Sequence, residues 1–227
     1  AVSPEVNFLP AHKNGFFTFG SFNRANKINI EMITVWAAIL KTLPNAHFLI
    51  GGLGGDDEIQ KISDVFGREG IQRERLSFHL RCTMYDYMAL HNQVDMCLDT
   101  FPYNGGTTTL YALWMGVPTV TLSGLTPASR TGAQIMGHMR MPEFAVDSVD
   151  AYIERALTWT NNLPTLAALR PLLRDAMTNC FSDPNAEIAK AFNSALRICW
   201  QRWCDGQPTS FLDVSQTLPC SGCEPQP

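Results

Sequence analysis

No apolar run in this 227-residue chain approaches the roughly 20 residues that a membrane-spanning helix needs. Charge is also sparse, at 17% of residues with a net charge of −4, and no block of lysine and arginine stands out. That balance argues against nucleic acid or an acidic membrane surface as a partner. The seven cysteines lack the paired spacing of a disulfide framework. An odd, scattered set of thiols is expected in a reducing cytoplasm rather than outside the cell. Cys97, inside the apolar run 94–98, reads as a small core residue. Cys220-Ser-Gly-Cys223 has redox or zinc spacing, but no second pair accompanies it, and a flexible Pro-rich terminus is the plainer reading. No Ser-His-Asp set, His-Glu-x-x-His helix or P-loop lysine is evident, so hydrolase, zincin and ATPase readings lack support. The chain opens Ala-Val-Ser-Pro-Glu, with neither an initiator methionine nor a charged-then-apolar leader, and is expected to be cut from a longer polypeptide.

What is there is a globular composition, 45% hydrophobic, in which short β-rich runs alternate with helical periodicity. Strands are expected at 16–22, 46–50, 75–80, 96–98 and 118–122. Helices are expected at 31–43, 57–68, 84–92, 107–115 and 127–139, and the pattern is wholly helical from 149 to 203. Strict alternation with short connections implies βαβ units and a parallel sheet, an α/β Rossmann-like domain with C-terminal helices over 1–204 and a Pro-rich tail over 205–227. Ligands of such sheets bind beyond the carboxyl ends of the strands. Four loops fall there: 23–27, 81–87, 104–109 and 124–130.

The most informative stretch is 99–122, DTFPYNGGTTTLYALWMGVPTVTL. Asn104, Gly105 and Gly106 are turn residues that tolerate positive φ and let a ligand approach the backbone. Thr107, Thr108 and Thr109 follow where a helix begins, with free backbone N–H groups and hydroxyls at a positive dipole end that suits a phosphate. An ordinary capped helix between two buried strands is the competing reading. Lys27, in the loop Asn23-Arg24-Ala25-Asn26-Lys27, could set a compact positive charge against a departing diphosphate.

This block resembles the glycosyltransferases of the O-GlcNAc transferase and SPINDLY type, which carry a similar Pro-Tyr-Asn-Gly-x-Thr-Thr-Thr run followed by Leu-Trp-Met-Gly-Val-Pro. FTFGSFNRANKINIEMITVWAAILKTLPNAHFLI (17–50) and TPASRTGAQIM (126–136) resemble the family's first strand, lysine loop and helix, and its later helix, so the likeness covers roughly residues 16–145. The resemblance implies the C-terminal, nucleotide-binding half of a GT-B enzyme. Its reaction would be metal-independent, inverting transfer of N-acetylglucosamine from UDP-GlcNAc to protein Ser/Thr, with no cofactor beyond the UDP-sugar substrate and no nucleic acid or membrane partner. It assigns the β-phosphate to Lys27, and a second polar contact to Arg24 where relatives often have glutamine.

The same resemblance gives the base to the 81–87 loop, through the backbone at Cys82 and the ring of Tyr87, where stacking is worth about 1–3 kcal/mol. His91, one turn beyond Tyr87, shares that helix face, with a surface histidine as the plainer reading; His79, at a strand end, is a weaker candidate. Tyr111 stands where many relatives carry a ribose-binding carboxylate and lacks its charge-assisted, bidentate grip. The resemblance further implies that acceptor-side groups and helical (TPR) repeats lie in a longer parent, so this chain alone is expected to bind nucleotide without turnover. A non-catalytic nucleotide-sugar module and an O-fucosyltransferase using GDP-fucose remain as alternatives; an epimerase would need acid–base carboxylates that these loops do not show.

Overall fold

A computed structural model describes residues 3–180 and 184–210 of the chain. Cys220, Cys223 and most of the expected 205–227 tail therefore lie outside the described residues. The chain divides into two compact units, with the boundary between Asn179 and Cys180.

The first unit is built on β1 (Thr18–Ser21), β2 (His47–Leu53), β3 (Leu76–Leu80), β4 (Met96–Leu98), β5 (Thr119–Leu122) and β6 (Ala145–Val146). They form a six-stranded sheet in the order β3-β2-β1-β4-β5-β6, and every pairing in it is parallel. The expected parallel α/β architecture is therefore present, and the order reverses between β1 and β4. A doubly wound sheet leaves a crevice at such a switch point, at the carboxyl ends of the strands.

The helices are α1 (Pro10–Asn14), α2 (Ile30–Thr42), α3 (Asp56–Arg68), α4 (Met84–Leu90), α5 (Thr107–Trp114), α6 (Thr131–His138), α7 (Val149–Thr160), α8 (Leu163–Leu169) and α9 (Leu173–Cys180). Neighbouring positions of a strand point to opposite faces, and β2 shows the consequence. Phe48 packs against Trp36 of α2 and Phe66 of α3, with ring centroids 4.8 and 5.9 Å away. Leu49 joins Phe22, Val94, Cys97, Ala112 and Val117 in a separate buried cluster, against which Tyr87 and Leu90 of the α4 side pack. Both faces are thus covered, which is why the strands read as continuous apolar runs.

Among the described residues, side-chain caps start three of the α-helices: Asn29 accepts from Met32 N before α2, Thr83 from Asp86 N before α4, and Ser148 from Ala151 N before α7. Helix α5 has none; Gly106 precedes it. Two elements were not expected from the sequence, α1 and the two-residue β6. The second unit holds α10 (Pro184–Cys204). Among the described residues, no helix is long and apolar enough to cross a membrane.

Candidate functional site at the switch point

At the carboxyl end of β4, Asp99 is fully buried and gathers the surrounding loops. Its Oδ1 accepts hydrogen bonds from Gly105 N (2.6 Å), Thr100 N (2.8 Å) and Asn23 Nδ2 (3.2 Å). Its Oδ2 accepts from the Thr121 hydroxyl at 2.8 Å. The backbone carbonyl of Asp99 accepts from Tyr152 of α7 at 2.8 Å, so the residue is held from behind as well. One carboxylate therefore ties together β1, β4, β5 and the 104–109 loop. Burial pushes its carboxyl up to about 6, even though the four donors favour the ionised form. Sequence reasoning missed this residue.

Two glycines are required here by contact. A Cβ on Gly105 would lie 2.6 Å from the hydroxyls of Thr108 and Thr109, and 3.0 Å from Asp99 Oδ1. A Cβ on Gly132 would collide with the Thr121 hydroxyl and sit 2.7 Å from Asp99 Oδ2. Neither Gly105 nor Gly106 has positive φ, so the tolerance of left-handed backbone that these turn residues offer is not used here. Close approach of the loop to a buried carboxylate is the reason for glycine at 105.

The three threonines do not play equal parts. Thr108 donates its hydroxyl to Asn23 Oδ1 at 2.9 Å, Thr109 is buried, and Thr107 is exposed. The expectation of three available hydroxyls is therefore corrected, since Thr108 and Thr109 are committed inward. The first N–H groups of α5 have no partner within the helix, and no side chain caps them. The small cavity below, bounded by Ser21, Asn23, Asp99, Thr108 and Thr119, measures about 10 Å³. That is room for about one water molecule, so a nucleotide would have to lie on the open side of the loop.

Lys27 closes a 3₁₀ turn after β1 and reaches across the switch point. Its Nζ donates to Asn104 O at 2.7 Å and stands 3.8 Å from the centroid of the Tyr103 ring. Burial lowers its pKa, the Asp99 carboxylate opposes that, and Arg24 adds to the lowering. Arg24 is exposed beside this turn. Asn104 presents its backbone carbonyl to Lys27, whereas its side-chain amide donates to Thr100 O (2.8 Å) and Leu122 O (3.2 Å). Its N–H donates to Ala128 O at 3.0 Å, which ties in the loop after β5.

On the β3 side, Tyr87 is half-buried, its hydroxyl makes a long bond (3.4 Å) to Phe22 O, and burial pushes its phenol up, so it stays protonated. Tyr111 meets it edge-on, with centroids 5.9 Å apart. Cys82 is exposed, its thiol raised by slight burial and by Asp86. His91 is not a surface histidine. It is buried, stacks on Phe22 at 3.7 Å and points Nδ1 at Tyr87 O at 3.0 Å, and burial lowers it to about 4. The structure thus joins Lys27, Asn104, Gly105 and the start of α5, with Tyr87 and Tyr111 forming an aromatic wall on the same side of the sheet. Among the described residues, no cluster of three His, Cys, Asp or Glu could hold a metal ion.

Residues 10–181 match glycosyl transferase family 41. The chain belongs to that family. It is 34% identical over 230 residues to the probable UDP-N-acetylglucosamine–peptide N-acetylglucosaminyltransferase SPINDLY of Oryza sativa, covering 96% of this chain and 24% of the relative. The corresponding Petunia hybrida protein is 33% identical over 92% of this chain. The chain thus spans about a quarter of the length of these relatives, 24% and 23%. Among solved structures, a mutant O-GlcNAc transferase from Thermobaculum terrenum superposes with a TM-score of 0.76 at 31% identity, covering 90% of this chain and 40% of that one. Sucrose-phosphate synthase from Thermosynechococcus elongatus, at 15% identity and a TM-score of 0.56 over 82% of this chain and 45% of that one, shares the fold alone. The expected resemblance and the GT-B type of fold are both found in this family 41 chain.

Proposed function

We propose that this chain is the donor-binding part of a protein O-GlcNAc transferase, binding UDP-GlcNAc for inverting, metal-independent transfer to Ser or Thr. The observation that carries the reading is Lys27 Nζ held at the Asn104 carbonyl, 2.7 Å away, above the uncapped start of α5 in a family 41 chain. An ammonium brought from one loop to a helix N-terminus on another supplies the groups that stabilise a leaving diphosphate. Arg24 and Thr107 add polar contacts at the rim. Tyr87 and Tyr111 take the nucleoside, with Cys82 offering backbone groups to the base. Among the described residues, the Asp99 carboxylate and the His91 imidazole are both buried in structural roles and not free to take a proton from an acceptor hydroxyl. Acceptor-side chemistry is therefore assigned to the remainder of a longer parent, whose helical (TPR) repeats would choose the protein substrate. The thiols at Cys82, Cys97, Cys199 and Cys204, unpaired among the described residues, favour a cytoplasmic setting.

Calorimetric titration with UDP, UDP-GlcNAc, GDP and uridine tests this directly. UDP should bind more tightly than uridine, and Lys27→Ala should remove about 1.5–3 kcal/mol of that preference, as a charge-assisted contact would. Equal affinity of the wild type for UDP and uridine would refute the reading. Mass spectrometry of a Ser/Thr peptide pool should show no sugar transfer by residues 1–227 alone and transfer by the full-length parent.

A further inference from the structure

We infer that Tyr103 is a positioning residue, its ring holding the Lys27 ammonium over the mouth of the 104–109 loop. Lys27 Nζ stands 3.8 Å from the centroid of that ring while donating to Asn104 O at 2.7 Å. These two contacts come from adjacent residues of one loop and fix the ammonium from two directions. An ammonium has three donors; one goes to the carbonyl, one faces the ring, and the third is left for an incoming oxygen.

The backbone beneath the ring is fixed. Thr100 donates its hydroxyl to Tyr103 O at 2.7 Å, and Asn104 is pinned to Thr100, Leu122 and Ala128. The ring itself is 56% exposed, so a solvent-facing aromatic remains after the needs of the core are met. A lysine side chain has four rotatable bonds, and ordering it is costly in entropy. If 104–109 is a diphosphate cradle, as proposed above, a ring that orders the lysine beforehand lowers the cost of binding. The ring's negative face also favours the charged form of the lysine, against the desolvation that acts on it.

Two measurements test the holding role and its consequence separately. In protein labelled with ε-¹³C lysine, the Lys27 resonance is identified by its loss in Lys27→Arg, which is practical because the chain has only five lysines. Its ε-methylene protons should be shifted upfield by the ring in the wild type and in Tyr103→Phe, and should return to the free-lysine position in Tyr103→Leu. UDP affinity should fall roughly two- to fivefold in Tyr103→Leu, the size of a cation–π contact at an exposed site. It should be unchanged in Tyr103→Phe, and uridine affinity should be unchanged in both. An unshifted Lys27 resonance in the wild type overturns the inference, as does a UDP preference that survives Tyr103→Leu intact. A wild type that binds UDP and uridine alike sinks the diphosphate reading instead, and the resonance still decides whether Tyr103 holds Lys27.

Discussion

Strand β4 carries a buried carboxylate at each end, Asp95 before it and Asp99 after it, and the two solve the same problem differently. Burial pushes both up to about 6. At the amino end, Asp95 gives one oxygen to Ala11 N and the other to Thr18 N, each at 2.8 Å. Nearby, the buried Arg170 donates to Val94 O, His91 O, Asn7 O and Asn7 Oδ1. At the carboxyl end, Asp99 spends three of its four bonds on one oxygen, and the cation that feels its charge is Lys27, which is only half-buried. The amino end is closed by a guanidinium; the carboxyl end leaves its cation at the surface, facing the loop. A cation already surrounded by carbonyls has nothing left for a ligand, whereas one with a spare donor does. That difference separates a structural carboxylate from one that organises a site.

The largest effect is expected from removing the closing cation. Arg170→Met keeps most of the apolar stem but strips the donors from Val94 O, His91 O and Asn7, and removes a positive charge that Asp95 feels. Each buried oxygen left without a donor in this way costs about 1–3 kcal/mol. Urea denaturation should show that loss, and at temperatures where the variant stays folded UDP affinity should match the wild type. Weakened UDP binding by the folded variant would mean that the two ends of β4 are coupled.

Replacing each carboxylate by its amide sharpens the contrast. In Asp95→Asn, the new NH₂ must face one of two fixed backbone N–H groups, leaving a buried donor unsatisfied at a cost of about 1–3 kcal/mol. In Asp99→Asn, the amide oxygen can keep the three donors on Oδ1, while the NH₂ can donate to the Thr121 hydroxyl, which is free to rotate. The cost at pH 7 should be less than about 1 kcal/mol. Equal losses for the two variants would show that hydrogen-bond inventory does not control these sites.

Titration should nevertheless treat the two alike. A carboxyl whose folded pKa is raised from 3.8 to about 6 contributes stability that is present below 3.8 and lost as pH rises through 6. His91 works in the opposite sense: its pKa is lowered from 6.5 to about 4, so its contribution is present above 6.5 and lost as pH falls. Lys27, Cys97 and Tyr152 also feel Asp99 but do not titrate in this window. Because His91 acts in every variant, differences between proteins isolate each carboxyl. Relative to Asp99→Asn, the wild type should lose roughly 2 kcal/mol between pH 4 and pH 7, and the comparison with Asp95→Asn should give a similar loss. Urea midpoints across that range would measure it, and a flat difference for either variant would mean that its carboxyl is not raised.

The sheet was readable because β1 to β5 are apolar runs bounded by turn residues, and burial on both faces leaves few other arrangements for such runs. Strand β4 was placed at its observed bounds, 96–98. Helix α1 left a legible signal that was not used: Pro10 at its start and Gly15, with φ of 75°, just past its end. Two-residue β6 left none. Within the site, Lys27 and the 104–109 loop were legible from residue type and position, whereas Asp99 was not. An acidic residue at a strand end reads as solvated, and only the fold shows that donors from two other segments, Asn23 and Thr121, converge on it with two from its own loop. His91 is buried because it shares the helix face of Tyr87, and that face packs on Phe22; the identity of the packing partner is not legible in the local sequence.

The smallest effect is expected at Tyr111, on the open side of the carboxyl end. Its ring meets Tyr87 edge-on at 5.9 Å, and Tyr87 in turn packs on Phe22 at 5.6 Å. Tyr111→Asp exchanges that pair, worth about 0.5–1.5 kcal/mol, for a carboxylate able to accept from ribose hydroxyls. Stability should therefore fall by about that amount while UDP binding tightens by up to about 1 kcal/mol, one net hydrogen bond. Tyr111→Phe, which keeps the ring and drops the hydroxyl, should leave stability and Tyr87 unchanged. The same titrations with 2′,3′-dideoxy-UDP separate the two roles of the tyrosine: a gain for Tyr111→Asp confined to UDP means that a ribose contact has been restored. An equal gain for both ligands means that Tyr111 obstructs the site by bulk, and the aromatic wall would then have to be read as a barrier instead of a support for the nucleoside.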